Sequence, residues 1–274
     1  MKVFLYCIAI VRPHNIAAAL LSTGVGFSLA SPGNWPWMLL GVVALVTAAG
    51  NVINDIYDVD IDRINKPKRP LPSGILSVRL ATVLYVAFLC ILVVSIFHLP
   101  RLQAAWIVIW AVMLHLYSAR LKRIFLAGNV FVSIVSASAF LLGALAGGRI
   151  ASGLLPACFT FFFVLGREFV KDCEDLEGDR MCGARTVPVV SGKGRALTFA
   201  AVIFGLLIVG FPIPYAVGYY GAGYGLLMIF GVIPILVASI VLTLTARSPS
   251  HVSLLLKIGM FFGIVAFYLG VRRP

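Results

Sequence analysis

The residues of this sequence that could do chemistry are its acids, and they are not scattered. All ten Asp and Glu side chains fall in two short windows: Asp55, Asp58, Asp60 and Asp62 in the first, and Glu168, Asp172, Glu174, Asp175, Glu177 and Asp179 in the second. The windows are copies of one pattern. Asp55, Asp58 and Asp62 align with Asp172, Asp175 and Asp179 as DxxDxxxD, each copy followed by Arg, with Asn51 and Glu168 four residues ahead. On a continuous helix, offsets of −4, 0, +3 and +7 stay within about 60° of one another. The spacing therefore predicts two carboxylate stripes on two helix ends, while Asp60, Glu174 and Glu177 point elsewhere.

Carboxylates stacked this closely repel, and an apolar setting raises the cost, so a cation must join them. Oxygen ligands without His or Cys favour Mg²⁺ or Ca²⁺ over zinc. Mg²⁺ shares its shell with phosphate oxygens, so two facing stripes suit two Mg²⁺ ions bridged by a diphosphate. Arg63, Lys66, Lys68, Arg69, Lys122, Arg180 and Arg185 lie between and after the windows. These cations suit a diphosphate and tell against an acid-lined cation channel or transporter. The plainer reading, loop acids neutralised by their neighbours, does not account for the coincidence of spacing, repetition and exclusivity.

The elements that must hold these residues are membrane helices. Of the 274 residues 61% are hydrophobic and 12% charged, with a mean hydropathy of +1.04. A soluble domain is nearer a quarter charged, so soluble, disordered and disulfide-scaffold classes are excluded. A span needs roughly 20 apolar residues. Segments of that size fall near 9–30, 35–56, 77–99, 101–118, 125–146, 150–170, 196–217, 219–244 and 252–271. The expectation is an all-α, multi-span bundle of about nine helices forming one domain over 1–274; a count of eight also fits, since the fourth span is short and the Gly- and Pro-rich 211–225 stretch is ambiguous. Links are marked by Ser31-Pro32-Gly33, Leu99-Pro100, Gly147-Gly148 and Ser248-Pro249. Small residues Ala144, Gly147 and Gly148 would serve close packing within the bundle.

The net charge of +12 is organised by side rather than spread as a nucleic-acid footprint, and no nucleic-acid partner is expected. With nine spans, every Lys and Arg except Arg101, Arg149, Arg272 and Arg273 falls on the face that carries both acidic windows. The positive-inside rule makes that face cytoplasmic in a cell-membrane protein. The apolar start through Arg12-Pro13 has no small-residue cleavage site and reads as the beginning of the first span, with Arg12 inside it. Five cysteines (Cys7, Cys90, Cys158, Cys173 and Cys182) without CxxC spacing read as reduced packing residues.

At these motifs the sequence resembles the UbiA superfamily of intramembrane prenyltransferases, and within it the archaeal ether-lipid branch. The resemblance rests on N-D-I-Y-D-V-D-I-D (54–62), N-K-P-K-R-P-L-P-S-G (65–74), Y-S-A-R-L-K-R (117–123), R-E-F-V-K-D-C-E-D-L-E-G-D (167–179) and the Arg12-Pro13-His14-Asn15 run. It implies a central cavity with a cytoplasmic cap, open laterally to membrane lipid, and a prenyl diphosphate donor with two Mg²⁺ ions. Asn51, Asp55, Asp58 and Asp62 would form one metal site and Asp172, Asp175 and Asp179 the other, and these aspartates would be catalytic. Arg63, Lys122 and Lys171 would contact diphosphate oxygens, and Tyr117 would bond the diphosphate or shield an allylic cation.

The implied reaction moves a geranylgeranyl group onto the hydroxyl of geranylgeranylglyceryl phosphate, forming an ether. The alternative is an aromatic acceptor such as 4-hydroxybenzoate. Arg12, Lys66 and Arg69 are the candidates for an acceptor phosphate, and Asn15 joins the substrate-binding set. Tyr57, Phe131, Phe140, Phe161, Phe162 and Phe163 are the aromatics available to an allylic cation, each more simply a packing residue. His14 is a candidate proton acceptor, a role released diphosphate can also fill; His98, His115 and His251 read as structural.

Overall fold

The computed structural model describes residues 2–31, 33–245 and 249–270. Arg247, Arg272 and Arg273 of the charge pattern, Pro32 and Ser248 of the link signals, and the side chain of Lys2 lie outside the described residues. Among the described residues every regular element is helical. Nine long helices follow in order: α1 (Pro13–Ala30), α2 (Trp37–Tyr57), α3 (Val78–Ile96), α4 (Arg101–Ala119), α5 (Ala127–Ala146), α6 (Leu154–Glu174), α7 (Lys193–Gly210), α8 (Ala222–Leu244) and α9 (Pro249–Leu269). Eight of them, α2 to α9, are long and apolar enough to cross a membrane. Helix α1 is left out because Pro13, His14 and Asn15 dilute its 18 residues. Trp37, Phe97, Leu206, Val209 and Phe230 stand exposed on the outside, an arrangement that suits lipid rather than water. The chain is a multi-pass membrane protein.

The first span does not run through Arg12 as expected. The helix Lys2–Ile10 stops, and α1 starts afresh at Pro13. Proline removes the helical N–H and bars the residue before it from the α region. Arg12 accordingly takes a left-handed conformation with φ 52°, a strain of about 1–3 kcal/mol for a non-glycine residue. The kink turns its side chain onto Asp55 of α2.

Helix α5 stands between two cores. One unites α1 and α5 to α9 around Phe140, Phe204, Tyr224 and Leu256. The other unites α2 to α5 around Val43, Ile107, Trp110 and Leu142. Helices α1 and α5 touch backbone to backbone, because a Cβ at Gly143 would collide with the Thr23 carbonyl. Gly147 meets Ala30 in the same seam and Ala144 is buried, whereas Gly148 is exposed and takes no part in the packing. Helix α8 is widened by a π turn at Met228–Val232, just before Pro234. The missing proline N–H lets the hydrogen-bond ladder slip by one residue, and Met228 and Val232 face the interior cavity.

Candidate active site

Both acidic windows form the same local structure. Helix α2 ends at Tyr57, Asp58 turns the corner with φ −96° and ψ 0°, and a short helix Val59–Asn65 follows. Helix α6 ends at Glu174, Asp175 turns with φ −92° and ψ 5°, and Leu176–Met181 follows. The sequence repeat is thus a structural repeat, but not the unbroken stripe that the spacing predicts. Each stripe breaks at its middle aspartate, and Asp62 and Asp179 ride on the second piece. Aspartate offers the backbone non-helical hydrogen bonds and suits helix ends better than interiors. Asn54 steadies the first corner by donating to Asp58 Oδ2 at 2.8 Å.

The two short helices pack against each other. Asn65 Nδ2 donates to the Asp175 carbonyl at 2.8 Å, and Asn65 Oδ1 accepts from the Gly178 N–H at 3.0 Å. Any side chain at position 178 would collide with Asn65, so glycine sets this approach. Lys66 Nζ then reaches Asp175 Oδ1 at 2.5 Å. Windows more than a hundred residues apart become one polar end.

The other partners differ between the windows. In the first, Arg12 pairs with Asp55, Arg69 lies 2.6 Å from Asp62 and 3.7 Å from Asp55, and Lys122 lies 2.6 Å from Asp58. In the second, Asp172 accepts from Asn129 at 2.7 Å and Asp179 from Thr186 at 3.1 Å. Among the described residues neither of these two has a cation within 4 Å. Glu168 is held by Arg167 at 2.6 Å and Lys171 at 3.4 Å. Burial, reinforced by the Asp175 carboxylate, pushes the Asp179 carboxyl up to about 6. Burial also raises Asp62, outweighing the pull of Arg69, and holds the Lys122 ammonium below its ordinary value against the attraction of Asp58.

These groups surround a small chamber of about 70 Å³, lined by Asp58, Asp62, Asp172, Asp175, Asp179 and Lys122 among others. Arg12, Asn54, Lys66, Arg69, Tyr117 and Lys171 form a wall common to this chamber and to a larger cavity of about 1150 Å³. Asp55 lines the larger cavity, which runs between the helices past Trp110, Phe159, Phe163, Phe211 and Phe267. Tyr117 stacks on Phe131 at 5.3 Å between centroids.

Not every candidate reaches the site. Arg63 pairs with exposed Asp60 at 2.8 Å and lines neither cavity. Asn51 accepts from Asn15 at 3.1 Å and donates to the Val11 carbonyl at 2.8 Å. Both asparagines border the larger cavity and tie the start of α1 to α2. Phe163 faces the cavity, whereas Phe140 lies in the core, Phe161 and Phe162 pack edge to face, and Tyr57 packs on His115. His14 lines the larger cavity. Asn129, Thr186, Asn54 and Asn65 escaped the sequence reading because short neutral polar side chains carry no spacing signal. Lys257 escaped it as one more cation of the crowded face.

Among the described residues no three acidic, imidazole or thiol groups converge into a ready ligand cluster. The donor set nonetheless fits a hard cation. Asp172 and Asp179 have neutral partners only, and the raised pKa of Asp179 marks a charge that a divalent ion would offset.

Comparison with known proteins agrees with this geometry. The UbiA prenyltransferase family matches residues 16–266. Digeranylgeranylglyceryl phosphate synthase of Methanoregula boonei is 40% identical over 272 residues, covering 95% of this chain and 96% of its own. The synthase of Sulfolobus acidocaldarius is 33% identical over 271 residues, covering 96% and 97%. A solved structure of digeranylgeranylglyceryl phosphate synthase in membranes shares 31% identity with a TM-score of 0.70, covering 99% of each chain. A UbiA homolog from Archaeoglobus fulgidus, solved with GPP and Mg²⁺, shares the fold at 20% identity and a TM-score of 0.64, covering 98% of this chain and all of its own. With its acidic repeat, its membrane helices and these relatives, the chain is a prenyltransferase and belongs to the UbiA family.

Proposed function

We propose that the chain, acting as one domain over 1–274, transfers a geranylgeranyl group from its diphosphate to the free hydroxyl of geranylgeranylglyceryl phosphate. The observation that carries this reading is the chamber where the two acidic windows and Lys122, Lys171 and Arg69 meet, opening onto a large apolar cavity. Ligand pockets are commonly about 300–1,000 Å³, so a cavity of about 1150 Å³ suits two long-chain substrates better than one chain and a small aromatic acid. The named relatives are synthases of this type, and the Archaeoglobus fulgidus homolog binds a prenyl diphosphate with Mg²⁺.

Two Mg²⁺ ions, when bound by Asp55, Asp58 and Asp62 and by Asp172, Asp175 and Asp179, would supply Lewis-acid neutralisation of the diphosphate. This chain's own residues do the rest. Lys122, Lys171 and Arg69 stabilise the negative charge that grows on the leaving diphosphate as the allylic C–O bond breaks. Tyr117, stacked on Phe131, stands at the boundary between polar chamber and apolar cavity. The phenylalanine-lined cavity keeps water from the electron-poor allylic carbon. The acceptor hydroxyl oxygen then forms the new C–O bond, and its proton goes to the released diphosphate. The polar end faces the cytoplasm in this reading, as the Lys and Arg distribution requires.

Purified protein given geranylgeranyl diphosphate, Mg²⁺ and either geranylgeranylglyceryl phosphate or 4-hydroxybenzoate tests the proposal. An ether product from the lipid phosphate is expected. Product from the aromatic acid alone transfers the assignment to quinone-type chemistry.

A further inference from the structure

Three cationic or titratable groups line the large cavity without touching the aspartates of either window or bordering the donor chamber. His14 opens α1, Arg167 lies five residues before Asp172 on α6, and Lys257 lies eight residues into α9; α9 packs against both other helices. All three line the large cavity and none lines the small chamber. They stand within Coulombic reach of one another, with Arg12 adding to the same field. By helix rise Lys257 sits about 12 Å along α9 from its start. Its ammonium has no hydrogen bond or ion pair among the described residues; at longer range Glu174 attracts it while Arg167, Lys171 and Lys66 repel it. Arg167 spends one nitrogen on Glu168, while its Nε is buried without a partner. Charges this deep in a membrane helix are costly unless something neutralises them. Arg12, Lys66 and Arg69 instead hold Asp55, Asp175 and Asp62 and border the donor chamber.

We propose that Arg167, Lys257 and His14 form a second anion seat, which binds the phosphomonoester of the acceptor apart from the donor diphosphate. A guanidinium with a free Nε, an ammonium and an imidazole from three helices match a tetrahedral dianion. Arg12, Lys66 and Lys171 lie on the shared wall, so the acceptor phosphate and the donor diphosphate occupy opposite sides of one cationic partition. The acceptor hydroxyl then hangs toward the allylic carbon. The inference rests on the lipid-phosphate reading above and assigns the residues that select for it.

The test uses the full chain in detergent with Mg²⁺, geranylgeranyl diphosphate and two acceptors, geranylgeranylglyceryl phosphate and its phosphate-free alcohol. Lys257→Met should raise the KM for the phosphorylated acceptor by about ten-fold or more, the size of one lost charge-assisted contact. It should leave the donor KM and the KM of the alcohol near wild type, and Lys257→Arg should restore the phosphorylated acceptor. Thermal stabilisation by the phosphorylated acceptor, measured without donor, should shrink in Lys257→Met, a readout independent of turnover. Arg167→Gln should act alike; because it also uncovers buried Glu168, Lys257→Met decides if that variant fails to fold. Normal wild-type turnover of the lipid phosphate with an unchanged acceptor KM in Lys257→Met overturns the seat alone. Equal KM increases for donor and acceptor overturn it as well. No wild-type turnover of the lipid phosphate overturns the functional reading and the seat together.

Discussion

In the first acidic window Asp55, Asp58 and Asp62 are each paired with Arg12, Lys122 or Arg69, groups that come from the kink before α1, the loop after α4 and the loop after the window itself. In the second, among the described residues, two of the three equivalent aspartates meet only an amide and a hydroxyl, from Asn129 of α5 and Thr186. The backbone corners at Asp58 and Asp175 are nearly superimposable in φ and ψ, so the difference comes from the neighbours rather than the motif. The comparison predicts that the two copies respond differently when a carboxylate is removed. Carboxylates already matched with cations join elements of the fold, and removing one partner strands the other in a low-dielectric site. Carboxylates held by neutral donors carry a charge that nothing beside them offsets, so an incoming cation gains more there.

The widest separation between the windows should appear with Asp172→Asn. The substitution keeps a hydrogen-bonding partner for Asn129 and strands no cation, so the thermal midpoint in detergent should hold. Mg²⁺-dependent transfer should fall by about 10³-fold, the scale of losing a main electrostatic contributor to the transition state. Near-wild-type turnover would remove the second window from the chemistry.

Asp55→Asn should lose transfer too, but with a cost in stability. Arg12 and Arg69 would both lose a carboxylate partner at a mostly buried site, a loss of about 3 kcal/mol. A clear drop in thermal midpoint for Asp55→Asn beside an unchanged one for Asp172→Asn is the expected pattern. Equal midpoints in the two variants would break the comparison.

Proton linkage sharpens it further. Burial raises the Asp179 carboxyl to about 6, above the roughly 3.9 of a free aspartate. Between those values the folded chain binds a proton that the unfolded chain does not. Without metal, the contribution of Asp179 to stability is therefore fully present below about pH 4 and lost as pH rises through about 6. Bound Mg²⁺ needs the ionised form and should offset that loss above pH 6. Thermal midpoints across pH 4 to 8 with Mg²⁺ or with EDTA should show this, and Asp179→Asn should flatten the metal-free slope. Identical slopes for wild type and variant would mean that Asp179 is not the titrating group.

The acidic repeat, its membrane setting and its cationic company were legible in the sequence because each leaves a spacing or composition signal. Helix periodicity placed Asp55 and Asp172 correctly at helix ends, yet it overran Asp58 and Asp175. Periodicity describes a continuous helix and is blind to where a corner forms. The kink at Arg12 was signalled by Pro13 but hidden inside an apolar run that looked long enough to be one span. The asymmetry between the windows was not legible, because Asn129 and Thr186 reach their aspartates only through tertiary packing. Lys257 was hidden by its location: one lysine among many on a basic face acquires meaning only once α9 is seen to border the cavity.

The smallest expected effect falls on Arg63, a cation beside the first window that lines neither cavity. Its partner is Asp60, and the two side chains are 64% and 82% exposed. An exposed pair at i and i+3 contributes about 0–1 kcal/mol, and neither group borders the chamber. Arg63→Ala should leave the donor KM, the turnover rate and the thermal midpoint close to wild type. That sets it apart from Lys122, which follows α4 in sequence yet reaches Asp58 at 2.6 Å and lines the chamber. A tenfold rise in donor KM for Arg63→Ala would mean that the helix Val59–Asn65 rotates on binding to bring Arg63 inward, and the neutralised first window would then be a resting arrangement rather than a fixed part of the fold.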